Sequence, residues 1–358
     1  MGGLNRAARA GLSTAAAILI GLVVLALGLT VSGYDAVAAL SAMGAGAFGS
    51  PDAILSAVLP RAIPLILIGL GIGLAFRGGA LNIGAEGQFY AGAIAATWVG
   101  LLLGGWTNGL GPAWARIVTV PMVLLAAVVA GMLWAAVPVI LKLRFGVLEV
   151  ISTLLLNFVA EALVSWMVQG PLQESKHIYP QSNLLEVAAR LPQLPGTRLH
   201  LGLALALLLA VGLWVFGRRT FAGFALRATG ANPLAAAVVG RINTRRVFGL
   251  ALLGSGALAG LAGGTEVSGT TYALFQNLSP GYGFTGIAVA LLAQLNPLAT
   301  IGTGLLFAAL EAGASAMQRD AGVPAIAVYV VEATIIIVVL LAEARRRRRT
   351  VRAAGGEV

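Results

Sequence analysis

The chain has 358 residues, of which 59% are hydrophobic and 10% charged, and it has no cysteine. Soluble domains carry about 25% charged residues, so a soluble globule of this size is excluded and a polytopic membrane protein is the economical reading. The missing cysteines exclude disulfides and thiolate-held metals. The net charge of +10 would suit nucleic acid only if the basic residues formed a binding face.

In chain order, apolar runs predict an all-α, polytopic bundle of ten spans: residues 12–32, 55–76, 84–104, 117–141, 147–168, 199–217, 247–265, 284–295, 298–316 and 323–343. The first follows Arg6 and Arg9. It is longer than the roughly 7–15-residue core of a signal peptide and reads as a retained helix, because about 20 residues cross the hydrocarbon. The eighth is short for a full crossing.

Lys and Arg positions give the orientation. With both termini cytoplasmic, the inner segments hold Arg6, Arg9, Arg77, Lys142, Arg144, Arg218, Arg219, Arg227, Arg241, Arg245, Arg246, residues 345–349 and Arg352. That is seventeen of the 23 Lys and Arg residues. The outer segments hold Arg61, Arg116, Lys176, Arg190, Arg198 and Arg319. The basic charge therefore meets cytosol and anionic lipid, and no nucleic-acid partner is needed. Residues 1–358 read as one transmembrane domain. Its long connections are an irregular extracytoplasmic loop at 169–198, a basic cytoplasmic loop at 217–246, and a basic tail at 344–358 that reads as a stop-transfer and headgroup anchor.

Three constellations carry polar chemistry. In "FRGGALNIGAEGQF", Gly78 and Gly79 permit a turn, while Gly84 and Gly87 allow close helix approach. Asn82, Glu86 and Gln88 are costly in hydrocarbon and must face protein, water or headgroups. A cytoplasmic hairpin with Glu86 at a helix N-terminus and a polar path across the membrane both fit, and chemistry alone leaves them open. In "LEVISTLLLNFVAEALVSW", Ser152, Asn157 and Glu161 lie on a helix, with Asn157 and Glu161 on one face. Interhelical hydrogen bonding explains the first two, whereas a mid-span acid at Glu161 needs a partner or a wet cavity.

The third constellation is "RATGANPLAAAVVGRINTRR". Asn232 and Pro233 form an N-cap and first-turn pair, and Gly240 reads as the stop. Between them lies an apolar helix about 10 Å long with flanking arginines, suited to docking in a partner's groove or to lying on the membrane. Glycine pairs such as Gly256/Gly260 signal tight packing and no particular function. The chain has no G-x-x-x-x-G-K-[ST] loop, and its two histidines, His177 and His200, form no zinc or hydrolase motif.

Four stretches, "GLAFRGGALNIGAEGQF", "LEVISTLLLNFVAE", "ALRATGANPLAAAVVGRINTRR" and "SPGYGFTGIAVALLAQLNPLATIGTGLLFAAL", resemble the membrane permease subunits of ABC importers. The resemblance is to the branched-chain amino acid, ribose and nucleoside permease superfamily, and N-I-G-x-E-G-Q looks most like its nucleoside type. It implies a permease for nucleosides delivered by an external binding lipoprotein. It also implies no cofactor or catalysis on this chain, with ATP and Mg²⁺ held by a separate ATPase subunit with two nucleotide-binding halves. A second permease, a paralogue or a second copy, would stand alongside. By the same resemblance Gly230, Asn232, Ala236, Gly240 and Arg241 meet the ATPase, and Asn82, Glu86, Gln88, Ser152, Asn157 and Phe284 line the path. Relatives often carry an acid where this chain has Thr285, a departure that bears on nucleoside specificity. A ribose or simple-sugar cargo is the alternative, and an ion-coupled secondary transporter using Glu86, Glu161 or Glu332 is a second.

Overall fold

The computed structural model describes residues 19–106, 112–324, 329–330, 333–334 and 337. Among them the chain is all-helical with no strand, and its extended pairing is limited to the isolated bridges Gln181↔Phe275 and Gln193↔His200. The helices are α1 (Leu19–Val31), α2 (Ala36–Phe48), α3 (Leu59–Arg77), α4 (Ala85–Trp106), α5 (Pro112–Phe145), α6 (Glu149–Gln169), α7 (Gly202–Arg219), α8 (Phe221–Ala231), α9 (Pro233–Val238), α10 (Thr244–Glu266), α11 (Tyr282–Leu292) and α12 (Pro297–Ala321). π-Helical turns precede α3 at Ala53–Val58 and follow α10 at Val267–Thr271. Among the described residues seven helical stretches are long and apolar enough to cross a membrane: Ala53–Arg77, Ala85–Gly104, Trp114–Phe145, Glu149–Gln169, Gly202–Arg219, Thr244–Thr271 and Pro297–Ala321.

Two expected spans lie partly or mostly outside the described residues, and a third is shorter than a crossing. Residues 12–18 of the first, and most of 323–343 with the tail at 344–358, lie outside the described residues. The eighth is an 11-residue helix, α11. Two helices were not expected. α2 is capped by Asp35, whose Oδ1 accepts the Val37 and Ala38 N–H groups. α8 fills much of the 217–246 loop, with Thr220 as its N-cap.

Contacts divide the chain into two units. In the first, 1–58 with 309–358, α2 and the end of α12 meet through small residues: a Cβ on Gly46 would fall 2.2 Å from Ala316 Cβ, and one on Gly313 2.7 Å from Met43 Cγ. In the second, 59–308, α10 packs against α3, α4 and α5. The burial of the most apolar windows separates inner from outer helices: 67% for α4 and 61% for the stretch containing α10, against 28% for α6 and 22% for α7. The apolar surface left on α6 and α7 suits lipid. Small residues let α5 and α10 touch backbone to backbone at Gly131, Gly256 and Gly260.

The 169–201 segment is irregular apart from a 3₁₀ turn at Val187–Ala189. It lies against the end of α10 and the residues after it: Leu191 N–H donates to Ser268 O, Leu185 N–H to Tyr272 O and Ser182 N–H to Leu274 O.

Candidate functional site

Two chain reversals build the site. α3 ends at Arg77, and Gly79 (φ +78°) turns the chain so that Ala80 N–H returns to the Ala75 carbonyl at 3.0 Å. Residues 80–84 then run back alongside α10, where Asn82 Nδ2 donates to Ser255 Oγ at 2.8 Å. Ser255 lies about 16 Å along α10 from Thr244 at 1.5 Å per residue, so α4 begins well inside the bundle. The second reversal follows α10. After the π-turn, Tyr272 takes a left-handed conformation (φ 59°), and the chain folds inward to start α11 at Tyr282.

The starts of α4 and α11 meet. Gly283 N–H donates to Glu86 Oε2 at 2.6 Å, and the Ser279 hydroxyl also hydrogen-bonds this carboxyl. Ser279 Oγ in turn accepts the Gly281 and Tyr282 N–H groups at 3.1 and 2.9 Å. A helix start presents unpaired N–H groups and the positive end of its dipole, so a carboxylate there is favourable. Glu86, on one helix, caps another. A Cβ on Gly283 would fall 2.2 Å from Glu86 N, so only glycine permits this approach.

The other residues of the motif bond to one another and to neighbouring helices. Asn82 Nδ2 donates to Gln88 Oε1 (2.8 Å) as well as to Ser255, while Asn82 Oδ1 accepts Gln88 Nε2 (3.1 Å) and Gly84 N–H (2.9 Å). An amide has two donors and one two-lone-pair acceptor, so Asn82 is fully satisfied. Asn157 of α6 clamps the same turn: Oδ1 accepts Gly87 N–H at 2.8 Å and Nδ2 donates to Ile83 O at 2.9 Å. Ser152 bonds the carbonyl of Glu149 within its own helix (3.2 Å). Phe284 is 46% exposed on α11, beside the buried Thr285. Of the six expected path residues, Asn82, Glu86, Gln88, Ser152 and Asn157 are buried and hydrogen-bonded in this conformation, and Phe284 is exposed.

Sequence reasoning did not select the polar cavity beside Glu86. Tyr90, one turn further along α4, is hydrogen-bonded by the Ser279 main chain. With Glu161, Ser165, Gln276 and Asn277 it lines a cavity of about 200 Å³. Glu161's mid-span position was the available signal. Residues 276–279 read as a connecting loop, and only their inward fold brings them here.

The expected docking residues form an elbow. α9 runs Pro233–Val238, and Asn232 is its N-cap, its Oδ1 accepting Ala235 N–H at 3.0 Å. Ala236 is buried with Ala225 and Ile242, whereas Leu234 and Val238 are 79% and 78% exposed. One expectation is corrected: the helix stops at Val239, which is αR, and the left-handed residue is Arg241 (φ 48°) rather than Gly240. The reversal is closed by Ile242 N–H on Ala236 O at 3.1 Å. Gly230, at the end of α8, presses on the first reversal: a Cβ there would fall 2.2 Å from Arg77 O. The elbow thus touches the stem of the segment leading to Glu86. Among the described residues no group of three His, Asp or Glu side chains is placed to hold a metal.

Residues 54–340 match the family described as "Branched-chain amino acid transport system / permease component". The chain belongs to that family. It is an integral protein of the cell membrane and the permease component of a transport system. The permease is 38% identical over 325 residues to the guanosine ABC transporter permease protein NupP of Bacillus subtilis, covering 89% of this chain and 90% of that one. It is 37% identical over 292 residues to the glucose ABC transporter permease protein TsgB13 of Haloferax volcanii (78% and 74% covered). It is 30% identical over 344 residues to the nucleoside ABC transporter permease protein NupB of Lactococcus lactis (93% and 91% covered).

Proposed function

We propose that this permease forms the path by which nucleosides enter the cell in an ATP-driven importer. The observation that carries the reading is similarity over 89% and 93% of the chain to permeases named for guanosine and for nucleosides. The path runs past Glu86, Phe284 and the Tyr90–Glu161 cavity, with Asn82, Gln88, Ser152 and Asn157 holding its walls. Amide, carboxyl and hydroxyl groups can bond ribose hydroxyls and base edges, and the exposed aromatic ring can stack.

The chain itself performs no catalysis. ATP and Mg²⁺ bind a separate ATPase subunit with two nucleotide-binding halves. Its docking surface here is the α8–α9 elbow on the cytoplasmic side, where Gly230, Asn232, Gly240 and Arg241 are exposed and the buried Ala236 seats α9 on the protein. Movement of the elbow passes through the Gly230–Arg77 contact to the 79–84 segment and on to the Glu86–Gly283 cap, as a shift between two packings. A second permease subunit and an external binding lipoprotein complete the machine.

Uptake of labelled inosine and guanosine by cells carrying the permease, with and without its ATPase, tests this. ATPase-dependent uptake that survives an uncoupler is the expected result. Uptake by this chain alone that an uncoupler abolishes would overturn it. The relative named for glucose favours a second reading in which the cargo is a sugar, and D-glucose and D-ribose in the same assay decide between the two.

A further inference from the structure

Glu161 is the thirteenth of the 21 residues of α6 and is exposed. A carboxylate at that depth is costly against hydrocarbon, so this face of α6 meets water or a polar ligand. What surrounds it narrows the ligand. The cavity of about 200 Å³ is lined by Tyr90, Glu161, Val164, Ser165, Gln276 and Asn277. No cationic side chain is among them, so phosphates and the carboxylate of an amino acid have nothing to neutralise them and face Glu161. An anionic ligand is disfavoured.

The donor and acceptor pattern then selects a polyol. A carboxylate accepts from two neighbouring hydroxyls at once. Gln276 Nε2 is already held by Ser165 Oγ at 2.7 Å, which fixes its amide while leaving its carbonyl to accept. Asn277 is exposed, in a left-handed conformation (φ 58°), and lines the same cavity. At about 30 Å³ per water in the liquid, the volume holds six or seven waters. That is room for a sugar ring.

We propose that this cavity binds the vicinal hydroxyls of a sugar ring, with Glu161 as the acceptor of both, and that any base projects out of it. The proposal rests on the import reading above and specifies which part of the cargo the membrane subunit recognises. Ser279, bonded to both Tyr90 and Glu86, ties occupancy of the cavity to the cap on α11.

Because this chain has no cysteine, an introduced thiol is the only one on it, and its alkylation is read on this subunit. Asn277→Cys in the assembled transporter is alkylated with a water-soluble thiol reagent in the presence of inosine, D-ribose, D-glucose, 2′,3′-dideoxyinosine or hypoxanthine. Inosine and D-ribose are expected to slow alkylation, whereas 2′,3′-dideoxyinosine and hypoxanthine do not. Adding Glu161→Gln is expected to weaken protection about tenfold, the effect of losing one hydrogen bond to a charged group. Equal protection by hypoxanthine, protection by none of the five, or protection unchanged by Glu161→Gln would overturn the proposal. Protection by D-glucose and D-ribose but not by inosine would uphold the cavity and refute the nucleoside cargo, so the two readings fail separately.

Discussion

Glu86 of α4 accepts the Gly283 N–H of α11 at 2.6 Å, across 197 residues of chain. The bond joins two helices that both begin inside the bundle, so one side chain satisfies an orphan donor of a helix it does not belong to. Half-helix starts of this kind are where transporter bundles place their polar chemistry.

Glu86→Gln keeps an acceptor oxygen and is expected to retain most of the cap, whereas Glu86→Ala loses it at a cost of about 1–3 kcal/mol. Gly283→Ala acts differently. Its Cβ would fall 2.2 Å from Glu86 N, which forces the helix starts apart and costs about 1–3 kcal/mol or more. Thermal unfolding of the purified permease should rank the variants with Gln mildest. A Gln variant as unstable as Ala would show that the charge matters more than the cap.

Asn82, Gln88 and Ser255 behave as one unit. Asn82→Ala leaves the buried Gln88 amide and Ser255 hydroxyl without these bonds, at about 2–4 kcal/mol in all. Adding Gln88→Ala should cost less than it does alone, with a coupling of about 1–2 kcal/mol in the double-mutant cycle. Strict additivity would mean the two amides are independent.

These residues show what was legible before the structure. Glycine spacing and apolar runs marked the close approaches at Gly84 and Gly87 and most of the long helices, because those signals are local. The amphipathic α8 and the 13-residue α2 were missed, since each is shorter than a crossing and sits between stronger runs. The polar residues of the 78–88 motif stood out because they are costly in hydrocarbon, but their partners did not. Ser255 and Gly283 are 173 and 197 residues away from the residues they bond, and nothing in a Gly-Ser-Gly or Gly-Tyr-Gly triplet announces a hydrogen bond across the bundle. The Tyr90–Glu161 cavity depended on the inward fold of residues 276–281, which the sequence presents as an ordinary loop.

His200 lies in the 169–201 segment, just ahead of α7, and only 3% of it is exposed. Its Nδ1 accepts Gly202 N–H at 3.2 Å, and Nε2 faces Thr270 Oγ1 at 3.4 Å. Among the charged groups on the surrounding elements, Glu266 interacts with Arg61, and Arg190 and Arg198 interact with Tyr272. Burial holds the imidazole neutral and pushes its pKa down to about 4 from 6.5. The unfolded chain therefore takes up a proton that the folded chain refuses, so this stabilisation is complete above 6.5 and is lost as pH falls towards 4. The interval is worth at most about 3 kcal/mol. Unfolding temperature measured from neutral pH to about pH 5 should fall in the native protein and flatten in His200→Gln.

The α8–α9 elbow separates function from stability. Leu234 and Val238 are among the most exposed apolar residues in the chain, so Leu234→Asp should change stability by no more than about 0.5 kcal/mol. If the elbow seats in an ATPase groove, the same change removes an apolar anchor worth about 2 kcal/mol or more. Import and co-purification of the ATPase should then drop together at an unchanged unfolding temperature. Retained import with the aspartate in place would remove α9 from the coupling surface.

Glycine-to-alanine changes should have opposite signs in two helices. On α10, a Cβ at Gly260 would fall 2.3 Å from Ala127 O and 2.8 Å from Gly131 Cα. The obstacle is backbone, which cannot rotate away, so Gly260→Ala must separate α5 from α10 and is expected to cost about 1–3 kcal/mol. On α7, nothing lies within 4 Å of a Cβ at Gly212, and its backbone is ordinary helix. There the added methyl restricts the unfolded chain without a clash, and a gain of a few tenths to about 1 kcal/mol is expected. Unfolding of both variants in the same detergent compares them directly. If Gly260→Ala were as harmless as Gly212→Ala, the backbone-to-backbone seam between α5 and α10 would not be what sets their spacing.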